Sequence, residues 1–154
     1  LGDLGRIEQH LRLGARQLHR ERVEFEYAPL YAEFGLGTTT WSPLASGLLS
    51  GKYQEGAPAD SRLQTPGYEW LQRSLFGGER EARLAKVARY LALARELDAD
   101  PAPLAIAWCL KNPRVSSVIL GATTPQQLTQ NLGALELLER LDDATLARLD
   151  AAFG

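Results

Sequence analysis

The chain has 154 residues, of which 45% are hydrophobic and 23% are charged, and its formal net charge is −2. This composition is typical of a globular domain and excludes a disordered chain. A charge so close to neutral gives no electrostatic reason to expect nucleic acid as a partner. The single cysteine, Cys109, excludes an internal disulfide framework and a cysteine-based metal cluster.

The apolar runs and the start of the sequence indicate the cellular compartment that we expect for the protein. No apolar run approaches the ~20 residues of a membrane span, and no signal-peptide pattern opens the chain, so we expect a cytoplasmic protein without membrane insertion. The sequence contains no methionine and begins with Leu1. We therefore expect a fragment, a processed product or an unusual start. His10 and His19 do not share a helix face, so we predict no metal site.

The first half of the chain predicts one helix, one strand and two further helices. Residues 1–22 are rich in arginine and poorly spaced for a helix, and we expect a solvated surface helix or a frayed terminus there, of which residues 1–17 are an atypical N-terminal segment. Apolar spacing predicts a helix over 27–34, ended by Gly35. The predicted elements that follow are a strand over 36–42, a long loop over 43–66, a short helix over 68–75 and a helix over 79–97 with Leu84, Val87, Ala88, Leu91 and Ala94 as its buried stripe.

The second half predicts a buried helix, a strand and two more helices. Asp100 followed by proline is a helix start, and Asn112 followed by proline ends that helix. The apolar run 115–120 predicts a strand covered on both faces. Residues 124–127 form a capping box with threonine at the N-cap, and Asp142 or Asp143 begins the last helix. The helix after the capping box is expected to run through Leu128, Leu132 and Leu135.

This alternation of helices and strands predicts an α/β fold with parallel strands. Two parallel strands make a very small sheet, so we expect part of a larger fold. Ligands of parallel α/β folds bind at the carboxyl ends of strands, and a helix start after Gly121 favours an anion there. Lys52 and Arg62 lie in the loop between the strands, where they could close over phosphates. The segment 47–52 is not a P-loop, because it is one residue short and is followed by Tyr53.

Several separated segments resemble the aldo-keto reductases. They are Trp41-Ser-Pro-Leu-Ala-Ser-Gly-Leu-Leu-Ser-Gly-Lys-Tyr53, Gly67-Tyr-Glu-Trp-Leu71, Leu104-Ala-Ile-Ala-Trp-Cys-Leu110, Val115-Ser-Ser-Val-Ile-Leu-Gly-Ala122 and Gln127-Leu-Thr-Gln-Asn131. The closest subgroup resembles the voltage-gated potassium channel β-subunits and their bacterial relatives. The resemblance covers residues 18–154 and implies the C-terminal part of a (β/α)8 TIM barrel, with about two of its parallel strands and their flanking helices.

The resemblance also implies an NADPH site without a Rossmann motif. By this match, Trp41, Ser42, Pro43, Leu44 and Ser46 line the nicotinamide and pyrophosphate region. Lys52 and Arg62 belong to the loop over the cofactor phosphates. Gly121, Thr123 and Gln127 hold the adenosine phosphates, and Gln130 and Asn131 contact adenine. The family usually has Glu where Gln130 stands.

The catalytic part of the family pattern is missing. The family's catalytic Asp, Tyr, Lys and His or Asn belong to earlier strands, which would precede residue 18, so we expect no catalytic residue and no reductase activity in this chain. We expect the intact protein to reduce small carbonyl compounds, and a homo-oligomer is possible. The alternatives are a non-catalytic nucleotide-sensing or protein-interaction module and a decayed gene product, the latter with a reading-frame break before residue 18.

Overall fold

The computed structural model describes residues 22–59, 61–78 and 80–154. The predicted segment 1–17, including His10, and also His19 fall outside these ranges. In chain order the described elements are α1 (Ala28–Phe34), β1 (Thr38–Trp41), α2 (Glu69–Phe76), α3 (Arg80–Glu96), α4 (Pro101–Leu110), β2 (Val115–Ile119), α5 (Pro125–Leu132), α6 (Ala134–Leu138) and α7 (Asp143–Phe153). A π-helical turn, Arg22–Glu26, precedes α1, and two 3-10 turns, Ala45–Ser50 and Arg62–Gln64, lie in the long loop.

Local capping interactions set the helix boundaries where the sequence predicts them. Gly35 ends α1 in the left-handed conformation, with φ of 62°. Asp100 begins α4, since its Oδ1 accepts a 3.0 Å hydrogen bond from the N–H of Ala102. Asp142 begins α7 in the same way, through the N–H of Thr145 at 2.8 Å. These three predicted boundaries are confirmed.

The two strands pair in parallel, as predicted, and together form a two-stranded sheet. The pairing aligns Thr38 with Val115 and Trp41 with Ile119, so both strands end at the same edge. The register shifts after Thr38, which leaves Ser116 as the extra residue of a bulge. The sheet is short, and its main effect is to bring the loops that follow the two strands to the same edge.

The core lies between α3, α4, α6 and α7. Helix α4 is buried on nearly all sides, and Cys109 within it has no exposed surface, as expected of a structural cysteine. Around it the rings of Tyr90, Trp108 and Phe153 form a cluster, with the Tyr90 and Phe153 centroids 5.4 Å apart. Lys86 of α3 donates a 2.6 Å hydrogen bond to the carbonyl of Phe153, which satisfies one of the unpaired carbonyls at the end of α7.

The predicted buried stripe of α3 is partly wrong. Ala88 is exposed and Leu84 is half-buried, whereas Tyr90 and Leu93 are buried. Helix α3 packs against both α4 and α7, so its buried face is centred on Tyr90. A tyrosine can belong to a core when its hydroxyl has a partner, and the Tyr90 hydroxyl donates to the carbonyl of Pro101.

The prediction that β2 is covered on both faces is also wrong. Ser116, Ser117 and Ile119 are exposed, and Val115 and Val118 are half-buried. Helix α4 packs against the sheet, and no other described helix covers the opposite face well enough to bury it.

The helix expected through Leu128, Leu132 and Leu135 is divided at Gly133 into α5 and α6. The three leucines are 45%, 50% and 59% exposed, so they do not form a buried stripe. The buried residues of this region are instead Asn131, Ala134 and Leu137. Within the described ranges, no helix combines the length and apolar character that crossing a membrane requires.

Burial raises the pKa of Tyr90 well above its ordinary value, and the nearby Cys109 and Asp100 add to the effect. Because the unfolded chain ionises this tyrosine near pH 10, the free energy of unfolding should fall as the pH rises above about 10, by at most ~1.4 kcal/mol per pH unit. Tyr90→Phe should reduce this slope in alkaline urea titrations. Equal slopes in Tyr90→Phe and the wild type would contradict the assignment.

Candidate functional site at the carboxyl ends of the strands

The aligned strand ends bring two loops together. Ser42 directly follows Trp41 of β1, and Gly121 lies two residues beyond Ile119 of β2. Neighbouring strands are about 4.8 Å apart, so the two loops start side by side. The structure therefore places the predicted groups 41–46 and 121–131 on one end of the sheet.

The first loop has an unusual backbone. Ser42, Ala45 and Ser46 have φ values of 52°, 48° and 57°, in the left-handed region that side chains disfavour. The N–H of Ser46 donates to Oγ of Ser42 at 3.0 Å, and the Tyr53 hydroxyl donates to the carbonyl of Ser46 at 3.3 Å. Such strain persists where surrounding contacts hold it, and it is concentrated at functional sites.

Buried neighbours hold this loop in place. Pro43 is buried and Leu44 packs against the core. Leu48 and Leu49, in the 3-10 turn, have no exposed surface. Trp41, by contrast, is 42% exposed. The loop therefore combines a fixed backbone with an accessible outer surface, which suits ligand binding.

Lys52 lies back across the same loop. A Cβ built on Gly47 would approach the Lys52 ammonium nitrogen to 2.7 Å, so the absence of a side chain at Gly47 makes room for the lysine. The ammonium also lies 5.0 Å from the centre of the Tyr53 ring. Lys52 is exposed and held beside the strained residues, so it can meet an anion bound there.

Arg62 lies farther along the loop, in the turn Arg62–Gln64. Its side chain is exposed, and the adjacent Leu63 is buried. The side-chain amide of Gln72 in α2 donates to the carbonyl of Leu63 at 2.6 Å and fixes the turn. The structure thus gives Arg62 an anchored base and an exposed cationic end.

The second loop carries the start of α5. Thr124 caps the helix, since its Oγ1 accepts from the N–H of Gln127 at 3.2 Å. In a capping box Gln127 would accept from the N–H of Thr124. Instead its Oε1 accepts from the N–H and hydroxyl of Thr123, at 2.8 and 3.0 Å. The predicted cap is confirmed, but the return bond reaches one residue farther back.

The two residues expected at adenine have different surroundings. Gln130 is exposed, and its Nε2 donates a 2.6 Å hydrogen bond to Oδ2 of Asp100. Asn131 is 4% exposed, and its Nδ2 lies 3.5 Å from the carbonyl of Gly121. Asn131 therefore supports the loop from below, whereas Gln130 offers its outer edge to a ligand. Gly121 borders open space, since an added Cβ would meet no atom within 4 Å.

Sequence reasoning missed two members of this region. The sequence shows Gly47 only as part of a recognisable segment, whereas the structure gives it a left-handed φ of 95° beside the Lys52 side chain. Asp100 was predicted only as a helix cap, and its bond to Gln130 joins residues thirty positions apart. No local pattern signals such a pair, because the contact depends on how α4 and α5 pack.

Two cavities among the described residues lie away from the strand ends. One, of about 400 Å³, lies between the loop and α2 and is lined by residues including Tyr53 and Phe76. Another, of about 480 Å³, lies between the loop and α3 and is lined by residues including Lys52 and Leu91. Neither includes a residue of α5.

The donor set at this surface fits a phosphorylated nucleotide. Lys52 supplies positive charge at the first loop, Gln127 and Gln130 supply amides at the second, and Gly121 leaves room for close approach. Arg62 lies farther along the chain, in the turn Arg62–Gln64. Among the described residues, no group of three or more His, Cys, Asp or Glu could hold a metal ion. The fold and site thus define an α/β protein with exposed cationic and amide side chains on the loops at its strand ends.

Comparison with known families agrees with this class. The model of the aldo/keto reductase family matches residues 13–153, and the chain belongs to that family. Its members are oxidoreductases that act on small carbonyl compounds, generally with NAD(P)H, and their fold is a (β/α)8 barrel. The two parallel strands and their helices are consistent with part of that barrel.

The fit of Lys52 over Gly47 can be tested by stability. Gly47→Ala and Gly67→Ala should cost about the same, because both glycines have left-handed φ values, 95° and 87°, and the atoms nearest a Cβ at Gly47 belong to the flexible end of the exposed Lys52 side chain, which can move aside. We expect a loss of about 1–2 kcal/mol for each variant in urea denaturation. A clearly larger loss for Gly47→Ala that disappears when Lys52→Ala is also present would show that Lys52 is held rigidly over Gly47.

Proposed function

We propose that this chain forms the NADPH-binding part of an aldo-keto reductase, within the subgroup that resembles the potassium channel β-subunits. The observation that carries the proposal is the alignment of Trp41 with Ile119, which puts the Lys52 loop and the start of α5 at one edge. In barrels of this kind, phosphates are frequently bound after strands seven and eight. Family membership and the local chemistry support the same location.

Each residue has a proposed task toward the cofactor. Trp41, Ser42, Pro43, Leu44 and Ser46 would line the nicotinamide and the pyrophosphate. Lys52 and Arg62 would neutralise phosphate charge, and Gly121, Thr123 and Gln127 would hold the adenosine phosphates. Gln130 would contact adenine, with Asn131 beneath it. When bound, the reduced nicotinamide supplies the hydride that reduces a carbonyl carbon.

The chemistry of proton transfer would come from elsewhere. The described residues form two strands, whereas a complete barrel has eight. We propose that the strands bearing the family's catalytic Asp, Tyr, Lys and His or Asn come from additional polypeptide, in a longer chain or an assembly. We further propose a cytoplasmic protein, where NADPH and small aldehydes are available.

A non-catalytic nucleotide-sensing module is the second candidate. This candidate is favoured because the described residues carry the proposed cofactor contacts without the family's catalytic strands. A module of this kind would bind the nucleotide and pass its occupancy to a protein partner. It differs from the first candidate in needing no complementary strands for its function.

Binding of NADPH by the chain tests the proposed site. Lys52→Ala, Arg62→Ala and Gln127→Ala should each weaken binding, the two cation variants by about tenfold, because a charge-assisted hydrogen bond is worth about 1.5 kcal/mol or more. Raised salt should weaken wild-type binding as well. Titration by calorimetry or nucleotide fluorescence gives the dissociation constants.

The matched control is Arg114→Ala, an exposed cation at the opposite end of the sheet. It should leave NADPH affinity unchanged. Equal affinity of the three site variants and the wild type would reject the proposed site.

An activity measurement tests whether this chain only binds the cofactor or also catalyses reduction. Pure chain should give no NADPH-dependent reduction of 4-nitrobenzaldehyde, even at nucleotide concentrations that saturate binding, because we propose that the strand bearing the family's proton donor comes from additional polypeptide. The loss of absorbance at 340 nm measures turnover. A rate above that of a heat-denatured sample, persisting through repeated purification, would show that this chain contains its own catalytic group.

A further inference from the structure

We propose that the cavity of about 400 Å³ between the long loop and α2 is a second binding site, and that it binds an aromatic carboxylate. A cavity of this size lies within the range of small-molecule sites in proteins. Its described lining includes none of the residues that we propose for NADPH contact. This inference is therefore independent of the proposed function, and either one can fail without the other.

The cavity is held open by contacts between the segments that surround it. Its lining comes from the loop at Gly56, Ala57 and Leu63, from the end of α2, and from Arg80, the first residue of α3. The side-chain amide of Gln72 donates to the carbonyl of Leu63 at 2.6 Å, which ties α2 to the loop. Leu63 is itself buried. A ligand would therefore enter a formed cavity and would not have to order the loop first.

Two aromatic rings form a corner of this cavity. The rings of Tyr53 and Phe76 meet edge to face, with their centroids 6.2 Å apart and their planes at 87°. A planar aromatic group can contact one such ring by its face and the other by its edge, an arrangement that aromatic pairs favour. Gly56 leaves room for that group, since an added Cβ there would meet no atom within 4 Å. The lining thus favours a flat apolar ligand.

Two guanidinium groups give the cavity its charge. Arg73 and Arg80 both line it and are exposed, and the guanidinium carbon of Arg80 lies 5.4 Å from the centre of the Phe76 ring. In the part of the chain that the structure describes, none of the lining residues is acidic. A guanidinium group stays protonated and matches the two oxygens of a carboxylate. An aromatic ring beside a guanidinium group therefore favours a ligand that joins an aromatic ring to a carboxylate.

Helix electrostatics explain one of these arginines and not the other. Arg73 lies in the last turn of α2, where the helix dipole favours a cation, and it also interacts with Glu69. Arg80 is the first residue of α3, where the dipole disfavours a cation. A bound anion beside Arg80 would offset this unfavourable placement. Arg80 is therefore the residue on which the proposal chiefly rests.

Binding of 2-naphthoate by the chain tests the proposal, with 2-naphthamide as a neutral probe of the same shape. We expect saturable binding of 2-naphthoate with a dissociation constant on the order of 1 mM or below, from the usual affinity per atom of small ligands. The amide should bind at least about threefold more weakly, because it lacks the charge that strengthens a hydrogen bond to arginine. Ligand-detected NMR titrations give both constants, and nuclear Overhauser effects to the Phe76 ring locate the probe.

Variants separate the cavity from the general charge of the surface. Arg80→Ala should weaken 2-naphthoate binding by roughly three- to tenfold and change 2-naphthamide binding much less. Phe76→Leu should weaken the binding of both probes, since it removes one aromatic wall. Arg95→Ala is the matched control, because Arg95 is an exposed arginine that lines the other cavity, and it should leave both affinities unchanged. Thermal unfolding of each variant checks that the fold is intact.

Three results would overturn the proposal. They are no saturable binding of 2-naphthoate at about 5 mM, equal affinities for the two probes, and equal losses in Arg80→Ala and Arg95→Ala. If Phe76→Leu fails to fold, the wild-type spectra decide, because binding without any Overhauser effect to the Phe76 ring would place the probe elsewhere. Failure of NADPH to bind would leave this inference standing, since the two sites are measured with different ligands.

Discussion

The burial of α4 is the constraint on which both halves of the site depend. This ten-residue helix contacts the 3-10 turn Ala45–Ser50 on one side and α5 and α6 on another, and β2 follows it directly. The loop after β1 and the helix α5 therefore both pack against α4. A shift of α4 would move the strained loop and the two glutamines relative to each other, which makes apolar packing the origin of the polar geometry.

The parts of the fold that local chemistry controls could be predicted from the sequence. Asp100, Asp142 and Thr124 start helices because their side chains accept from the exposed N–H groups of the next turn. Gly35 stops one because it accepts a left-handed backbone. The parallel pairing also followed, since strands separated by helices return in the same direction.

The failed prediction for β2 concerns how much neighbouring structure covers an element. The apolar content of β2 indicates a buried strand, but the described helices bury too little of it, and Ile119 is 54% exposed. The single helix expected through Leu128 and Leu132 is instead divided at Gly133, and both leucines are exposed. The Asp100–Gln130 bond escaped prediction for a related reason, because tertiary packing brings the two residues together. The assignment of nucleotide-binding residues came from resemblance, and periodicity alone would not have produced it.

The position of Cys109 gives the molecule a built-in reporter. It is the only thiol in the chain and has no exposed surface, in the middle of the helix that supports the site. An alkylating reagent can reach it only when the core opens, so its labelling rate measures the fraction of molecules in which α4 is unpacked. A nucleotide that binds only the closed form would slow labelling by the factor 1 + [L]/Kd. The labelling rate of the buried Cys109 can therefore report nucleotide binding at the strand-end loops in the unmodified sequence.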